Sequence, residues 1–358
     1  MASKGIVTGT ITASNVALRS AVGDIGTAGS YIQVAAGKIS ATTFGSAFIN
    51  ATTATTLENS YAGFFALTDN SGALTVNGTV TGNVIILGSN TDVQINNTVT
   101  GVGSSGQIYL FNGNTITDAN GLAHLVAPNL SFTSTNGSIQ VGTLTSTISG
   151  AQAPVHPFGS IILNALSGSS MVTAASLNTA SVGAYAGSGG VTIGTTGAVL
   201  LVASSSGGNV TLTDTSASGV ALGGIFGVPM SATNYTLNAT GNVAVSGAIS
   251  ATNITLNACG TNSSILLFNS LTASNSVTLT ANGTGSITTA GSSIDSPTLT
   301  MTTGSGDIGR NNLFMVTSAT SLNFTTSGNA YIFNANNTRA LALHQWSGNN
   351  LIIIEDGD

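Results

Sequence analysis

Charge is what this 358-residue chain has least of: 4% of its residues are Asp, Glu, Lys or Arg, against about a quarter in ordinary soluble domains. The five bases, Lys4, Arg19, Lys38, Arg310 and Arg339, form no stripe, so binding nucleic acid by neutralising phosphates has no basis. A single cysteine, Cys259, excludes an internal disulfide framework and reads as a small buried hydrophobe. No apolar run approaches the roughly 18 residues of a membrane helix; the longest tight one is Leu351-Ile352-Ile353-Ile354. The N-terminal residues carry no continuous apolar segment of the signal-peptide kind. Aromatics are 5% of the chain, so any core has to be aliphatic and built in thin layers.

What is present is 42% hydrophobic residues on a background of Gly, Ser, Thr, Asn and Ala, enough apolar surface to offset the entropy of ordering. The hydrophobic period is two nearly everywhere, as in Val7-Thr8-Gly9-Thr10-Ile11-Thr12, Leu74-Thr75-Val76, Val210-Thr211-Leu212-Thr213 and Val277-Thr278-Leu279. These are short strands with one apolar face. Glycine every few residues makes helix costly, at about 1 kcal/mol each. In the C-terminal half the strand centres Val243, Ile254, Ile265, Val277, Ile287 and Leu299 step by 10 to 12 residues. Two steps make a unit of roughly 20 to 24 residues, the size of one coil of a solenoid.

The predicted fold is therefore all-β: one continuous, elongated parallel β-helix (β-solenoid) over residues 1–358, of about sixteen coils at roughly 22 residues each. A hairpin sandwich is the competing architecture, with Asn77-Gly78 its best turn; in a β-helix the same pair turns a corner. Four stretches break the rhythm and are expected to leave the coil: 53–69, aromatic and carrying Glu58; 118–128, a helical turn capped by Asp118; 148–159, with two prolines; and the Gly-rich 219–230.

One four-letter box occurs twice. Gly23-Asp24-Ile25-Gly26 and Gly306-Asp307-Ile308-Gly309 stand 283 residues apart (306 − 23), each between two apolar strands and followed by Ala47-Phe48-Ile49-Asn50-Ala51 or Ala330-Tyr331-Ile332-Phe333-Asn334-Ala335. A carboxylate between glycines could be a site, but neither copy has a second acid or a histidine beside it. The reading is a corner: Gly for the backbone, Asp for free amides, Ile for the bore.

Other chemistry is sparse. The eleven acids are scattered singly, whereas a glycan-cleaving β-helix needs carboxylates converging on one face. His124, His156 and His344 have no metal-ligand spacing, and Gly187-Ser188-Gly189-Gly190 lacks the Asp of calcium-binding coils. No cofactor, metal or catalytic residue is assigned. Thr-x-Thr triplets at 79–81, 98–100, 115–117, 143–145, 211–213, 278–280 and 298–300 suggest an ice-binding face, yet the first four step by 19, 17 and 28 residues, too uneven for one flat rank. Trp346 reads as packing of a terminal coil rather than as a glycan platform.

The paired boxes, with their strand–G-D-I-G–strand–A-[FY]-I order on a Gly/Asn/Thr-rich background, resemble filamentous-haemagglutinin-like bacterial exoproteins and related autotransporter passengers. The resemblance is at motif level in residues 23–51 and 304–335. It implies a right-handed β-helix, export to the cell surface, and an adhesive or structural function with host or surface glycans or proteins as partners. The ends add an expectation of their own. Ile6, Val7 and Ile11 at one end and Leu351, Ile352, Ile353 and Ile354 at the other read as bare strands, which predicts head-to-tail association with itself or with further coils of a longer chain. The function expected is a non-enzymatic, secreted or surface fibre protein; the alternatives are a glycan-cleaving β-helix and an ice-binding solenoid.

Overall fold

The computed structural model describes residues 5–6, 9–118, 125–146, 159–223, 229–335 and 341–355, with backbone alone at 344–346. Its strands pair in parallel as a β-solenoid of about 14 turns, with no helix among the described residues. The chain divides into two compact units, residues 1–187 and 188–358.

In the first unit a coil is built of three short strands, each stacked on its counterpart in the next coil. Phe64–Asp69, Leu74–Val76 and Val80–Gly82 make one coil, and Val84–Ser89, Val93–Ile95 and Val99–Gly101 the next. Phe64 pairs with Val84 and Leu74 with Val93; on the third side Val80 pairs with Val99. Alternation follows from the pleat: Phe65, Leu67, Ile85 and Leu87 point inward and are fully buried, while the residues between them face outward. In the second unit Val210–Asp214, Met230–Ala239, Ile249–Ala258, Leu271–Ala281 and Thr298–Thr303 stack in the same way. The bore is filled by like on like, Leu212, Leu237, Leu256, Leu279 and Met301 in one column. Fourteen turns rather than sixteen arise because coils are unequal. Phe64 to Val84 is 20 residues, but Asn129 to Ser160 is 31.

One expected excursion is corrected. Residues 53–69 run inside the coil as Thr55–Leu57, Ser60–Tyr61 and Phe64–Asp69, each paired in parallel. Of the aromatics that suggested a break, Phe65 fills the bore, while Phe64, stacked on Phe48 at 5.2 Å, and Tyr61, edge-on to Phe44 at 5.9 Å, lie on the outer surface. Glu58 meets Lys38 at 3.4 Å. In 219–230, Val220–Leu222 and Met230 also belong to paired strands; residues 224–228 lie outside the described residues. So do 119–124 and 147–158, which hold most of the other two excursions. Asn77-Gly78 turns a corner between strands of two different ladders.

Candidate functional site

The two boxes have the same local geometry, one in each unit. Ile25 and Ile308 are fully buried, and each makes isolated parallel bridges with the coil on either side: Ile25 with Ile6 and Ala47, Ile308 with Ile287 and Ala330. Asp24 Oδ1 accepts the Ser46 amide at 2.7 Å, and Asp307 Oδ1 the Asn329 amide at 2.6 Å. The carboxylate thus satisfies an amide of the following coil, not of its own turn. Thr43 and Thr326 donate their hydroxyls to the Gly23 and Gly306 carbonyls, both at 2.6 Å. Gly26 and Gly309 both have φ of 70°, the left-handed region that only glycine enters cheaply. A tight antiparallel turn follows each box, Thr27 to Ser30 and Arg310 to Leu313.

On these two frames the register is the same and the outward side chains are not. In the first, Thr10, Gln33, Asn50 and Thr68 form one outward row. Asn50 Nδ2 donates to Gln33 Oε1 at 2.6 Å and Thr68 Oγ1 to Asn50 Oδ1 at 3.3 Å. Beside the row Tyr31 lies edge-on to Phe48 with centroids 5.5 Å apart. In the second frame the corresponding row is Ser293, Val316, Phe333 and Ile354, and the aromatic pair is Phe314 with Tyr331 at 6.0 Å. The row is polar on one frame and mostly apolar on the other.

The strands expected at an interface stand at sheet edges among the described residues. Thr10–Thr12, containing the half-buried Ile11, pairs on one side with Ile32–Ala35. Leu351–Glu355 pairs on one side with Ala330–Asn334. Leu351 and Ile353 are half-buried there, whereas Ile352 and Ile354 remain 41% and 44% exposed. Ile6 bridges Ile25, and Val7 lies outside the described residues.

The second unit carries a feature that sequence spacing hid. Thr211, Thr236, Thr255, Thr278 and Thr300 occupy one outward column in register, and Thr213, Asn238, Asn257, Thr280 and Thr302 the column two residues along. A third outward column holds Asn234, Asn253, Ser276 and Thr298, in which Asn253 Nδ2 donates to Asn234 Oδ1 at 2.7 Å. The result is a charge-free hydroxyl and amide face five coils deep. Its signal was the recurring x-T-L-[NT] at 235–238, 254–257 and 277–280. Unequal corners absorb the uneven spacing, so flatness is set by register and not by sequence step.

Titratable groups do not gather. Among the described residues no three of His, Cys, Asp and Glu approach closely enough to hold a metal ion. Asp356, Asp358, His124 and His156 lie outside those residues, and nothing is placed for the His344 and Trp346 side chains. Cys259, read as buried, is exposed, directly after the strand that ends at the buried Ala258. Two acids are instead buried singly. Asp69 caps the Ser71 and Gly72 amides through Oδ1, and Asp214 Oδ1 accepts the Thr195 hydroxyl at 2.6 Å. Among the described residues the second oxygen of each is buried with no hydrogen-bond partner, and burial raises both carboxyls above their ordinary value. No protein-family model, curated protein or solved structure matches this chain.

Proposed function

We propose that this chain is a non-enzymatic structural or adhesive solenoid of the cell exterior whose open coil at Leu351–Glu355 is completed by a second copy. The observation that carries it is that edge. Among the described residues no strand pairs with the outer side of Leu351–Glu355, Ile352 and Ile354 are exposed there, and the strand's one charge, Glu355, stands at its end, leaving the apolar part of the edge without the charge, proline or cover that natural sheets use. Leu351 sits in the register that Phe65 occupies on the first frame, where the strand Val84–Ser89 covers it. A parallel strand is thus what the frame accepts. The complementary edge is Thr10–Thr12, which stands to Gln33 as Ser293 stands to Val316; head-to-tail pairing keeps inward residues inward. Sedimentation velocity and electron microscopy test this. Wild type is expected to form concentration-dependent filaments, and Ile352→Lys/Ile354→Lys to remain monomeric with unchanged circular dichroism. Monomeric wild type at every concentration would reject the reading.

A second reading rests on the threonine columns of the second unit. Parallel strands about 4.8 Å apart, with same-face residues about 6.6 Å apart along each strand, make a two-dimensional lattice of hydroxyls that can hold a layer of ordered water, the basis of ice binding. Thermal hysteresis that is present in wild type and abolished by Thr255→Lys at the centre of the face supports it. Absence of hysteresis in wild type removes it.

A further inference from the structure

The first frame bears an open cleft of about 800 Å³ lined by Thr10, Ser30, Tyr31, Gln33, Asn50 and Thr68, with Asn70 at its end and glycines 9 and 29 at its rim. Among the described residues no carboxylate, ammonium, guanidinium or imidazole lines it. An anionic or cationic ligand would therefore find no counter-charge.

We propose that this cleft binds a neutral oligosaccharide. The two central amides are held in fixed orientation by their own row. Gln33 Nε2 donates to the Tyr31 carbonyl at 3.3 Å, Gln33 Oε1 accepts from Asn50, and Asn50 Oδ1 accepts from Thr68. A primary amide offers two N–H donors and two acceptor lone pairs, and these bonds use one donor of each amide and one lone pair of each oxygen. Among the described residues each amide thus retains one donor and one acceptor for a ligand. Successive amides stand one coil apart, about 4.8 Å, with the Thr10 and Ser30 hydroxyls adjoining. A sugar edge offers the matching pattern, because each hydroxyl both donates and accepts. The Tyr31 ring, steadied by Phe48, supplies the flat apolar wall with a polar tip on which the C–H face of a pyranose ring lies.

The second frame shows that the fold does not demand these residues. With the same box, turn and register it carries Phe314, Val316, Phe333 and Ile354 where the first carries Tyr31, Gln33, Asn50 and Thr68. The amide row is thus a property of the cleft and not of the corner. The cleft shares Thr10 with the edge proposed for end-to-end assembly, but the inference does not rest on that assembly.

Calorimetric titration of the full chain with cellohexaose, laminarihexaose, maltohexaose and chitohexaose, with a heparin hexasaccharide as charged control, provides the test. At least one neutral hexasaccharide is expected to bind and the heparin fragment not to bind. The double variant Gln33→Val/Asn50→Phe, which installs the second frame's own residues and so preserves the packing, and separately Tyr31→Phe/Thr68→Val, should each weaken binding by roughly tenfold or more, equivalent to about 1.4 kcal/mol. Their thermal midpoints should stay at the wild-type value. No binding of any neutral hexasaccharide, binding of the heparin fragment alone, or undiminished affinity in the double variant overturns the proposal. None of these results bears on sedimentation of Ile352→Lys/Ile354→Lys, so the two ideas fail separately.

Discussion

Alanine at Gly26 gives the sharpest test of the corner. A Cβ built there falls 2.5 Å from the Phe48 carbonyl oxygen, and at Gly309 the equivalent atom falls 2.3 Å from the Tyr331 oxygen. Both obstacles are backbone of a paired strand and cannot rotate away. The left-handed φ of 70° costs an alanine about 1–2 kcal/mol by itself, and shifting the strand carbonyl brings the total to about 2–4 kcal/mol, within the range of stored strain at such sites. Gly29, three residues on, is the control, because nothing lies within 4 Å of its added Cβ; Gly29→Ala should be neutral or stabilise by up to about 1 kcal/mol. A solenoid can open coil by coil, so a readout local to the corner is sharper than a global melt. Amide hydrogen exchange is the right one, read at the Phe48 N–H that donates to the Ile25 carbonyl at 2.7 Å. At about 1.4 kcal/mol per tenfold, Gly26→Ala should accelerate that exchange roughly 30- to 700-fold and Gly309→Ala do the same at Tyr331. If Gly26→Ala and Gly29→Ala exchange alike at Phe48, the corner does not depend on this glycine and the argument from the box fails.

The buried acids make a pH prediction with a definite sign. Desolvation raises the folded Asp69 and Asp214 carboxyls above their ordinary 3.8, against the opposing hydrogen bonds from Ser71 and Gly72 and from Thr195. A group raised in the folded state binds more protons there, so its favourable contribution is complete below pH 3.8 and is lost as pH rises through the folded value. Asp69→Asn keeps a carbonyl for the Ser71 and Gly72 amides, and its urea midpoint should exceed that of wild type by a margin that grows from pH 4 towards 7. Asp214→Asn should behave in the same way, and a margin that shrinks with pH for either would refute the desolvation account.

Period-two alternation and the near-constant strand step were enough to find the parallel stack, because in a narrow bore each inward residue sits on its own kind. Leu237, Leu256 and Leu279 repeat that logic three coils running. Composition misled where it was allowed to override period: residues 53–69 looked too aromatic for a coil, yet Phe65 and Leu67 alternate inward as the period requires, and the remaining rings stack outside. Asp69 and Asp214 were legible as turn formers, since adjacent Gly, Ser and Thr predict amide capping. Their burial was not, because it depends on which end of the strand closes over the bore. The threonine columns were illegible for a related reason: Thr211 to Thr236 is 25 residues and Thr236 to Thr255 is 19, and nothing in a sequence step says how much of it a corner takes up.

The two frames separate what the fold requires from what it permits. Between them Ile25 and Ile49 are matched by Ile308 and Ile332, and the capping acid, the glycine at φ 70° and the hydroxyl that reaches the box carbonyl are kept, while the inward pair Val34 and Ala51 is replaced by the buried, hydrogen-bonded pair Thr317 and Asn334. Every kept feature has a steric or hydrogen-bonding reason that would penalise change by about 1–4 kcal/mol. The outward row has no such reason, and there too the frames part, Gln33 and Asn50 on one and Val316 and Phe333 on the other. An outward position on a sheet tolerates most side chains at a cost below about 1 kcal/mol, so a hydrogen-bonded amide row beside an aromatic wall is not something the scaffold imposes. Whatever distinguishes one coil of this chain from another in function has to be carried by the outward columns. That places the search for ligands on the amide cleft of the first unit and the hydroxyl face of the second, and places the search for a copy of the chain on the apolar row that ends at Ile354.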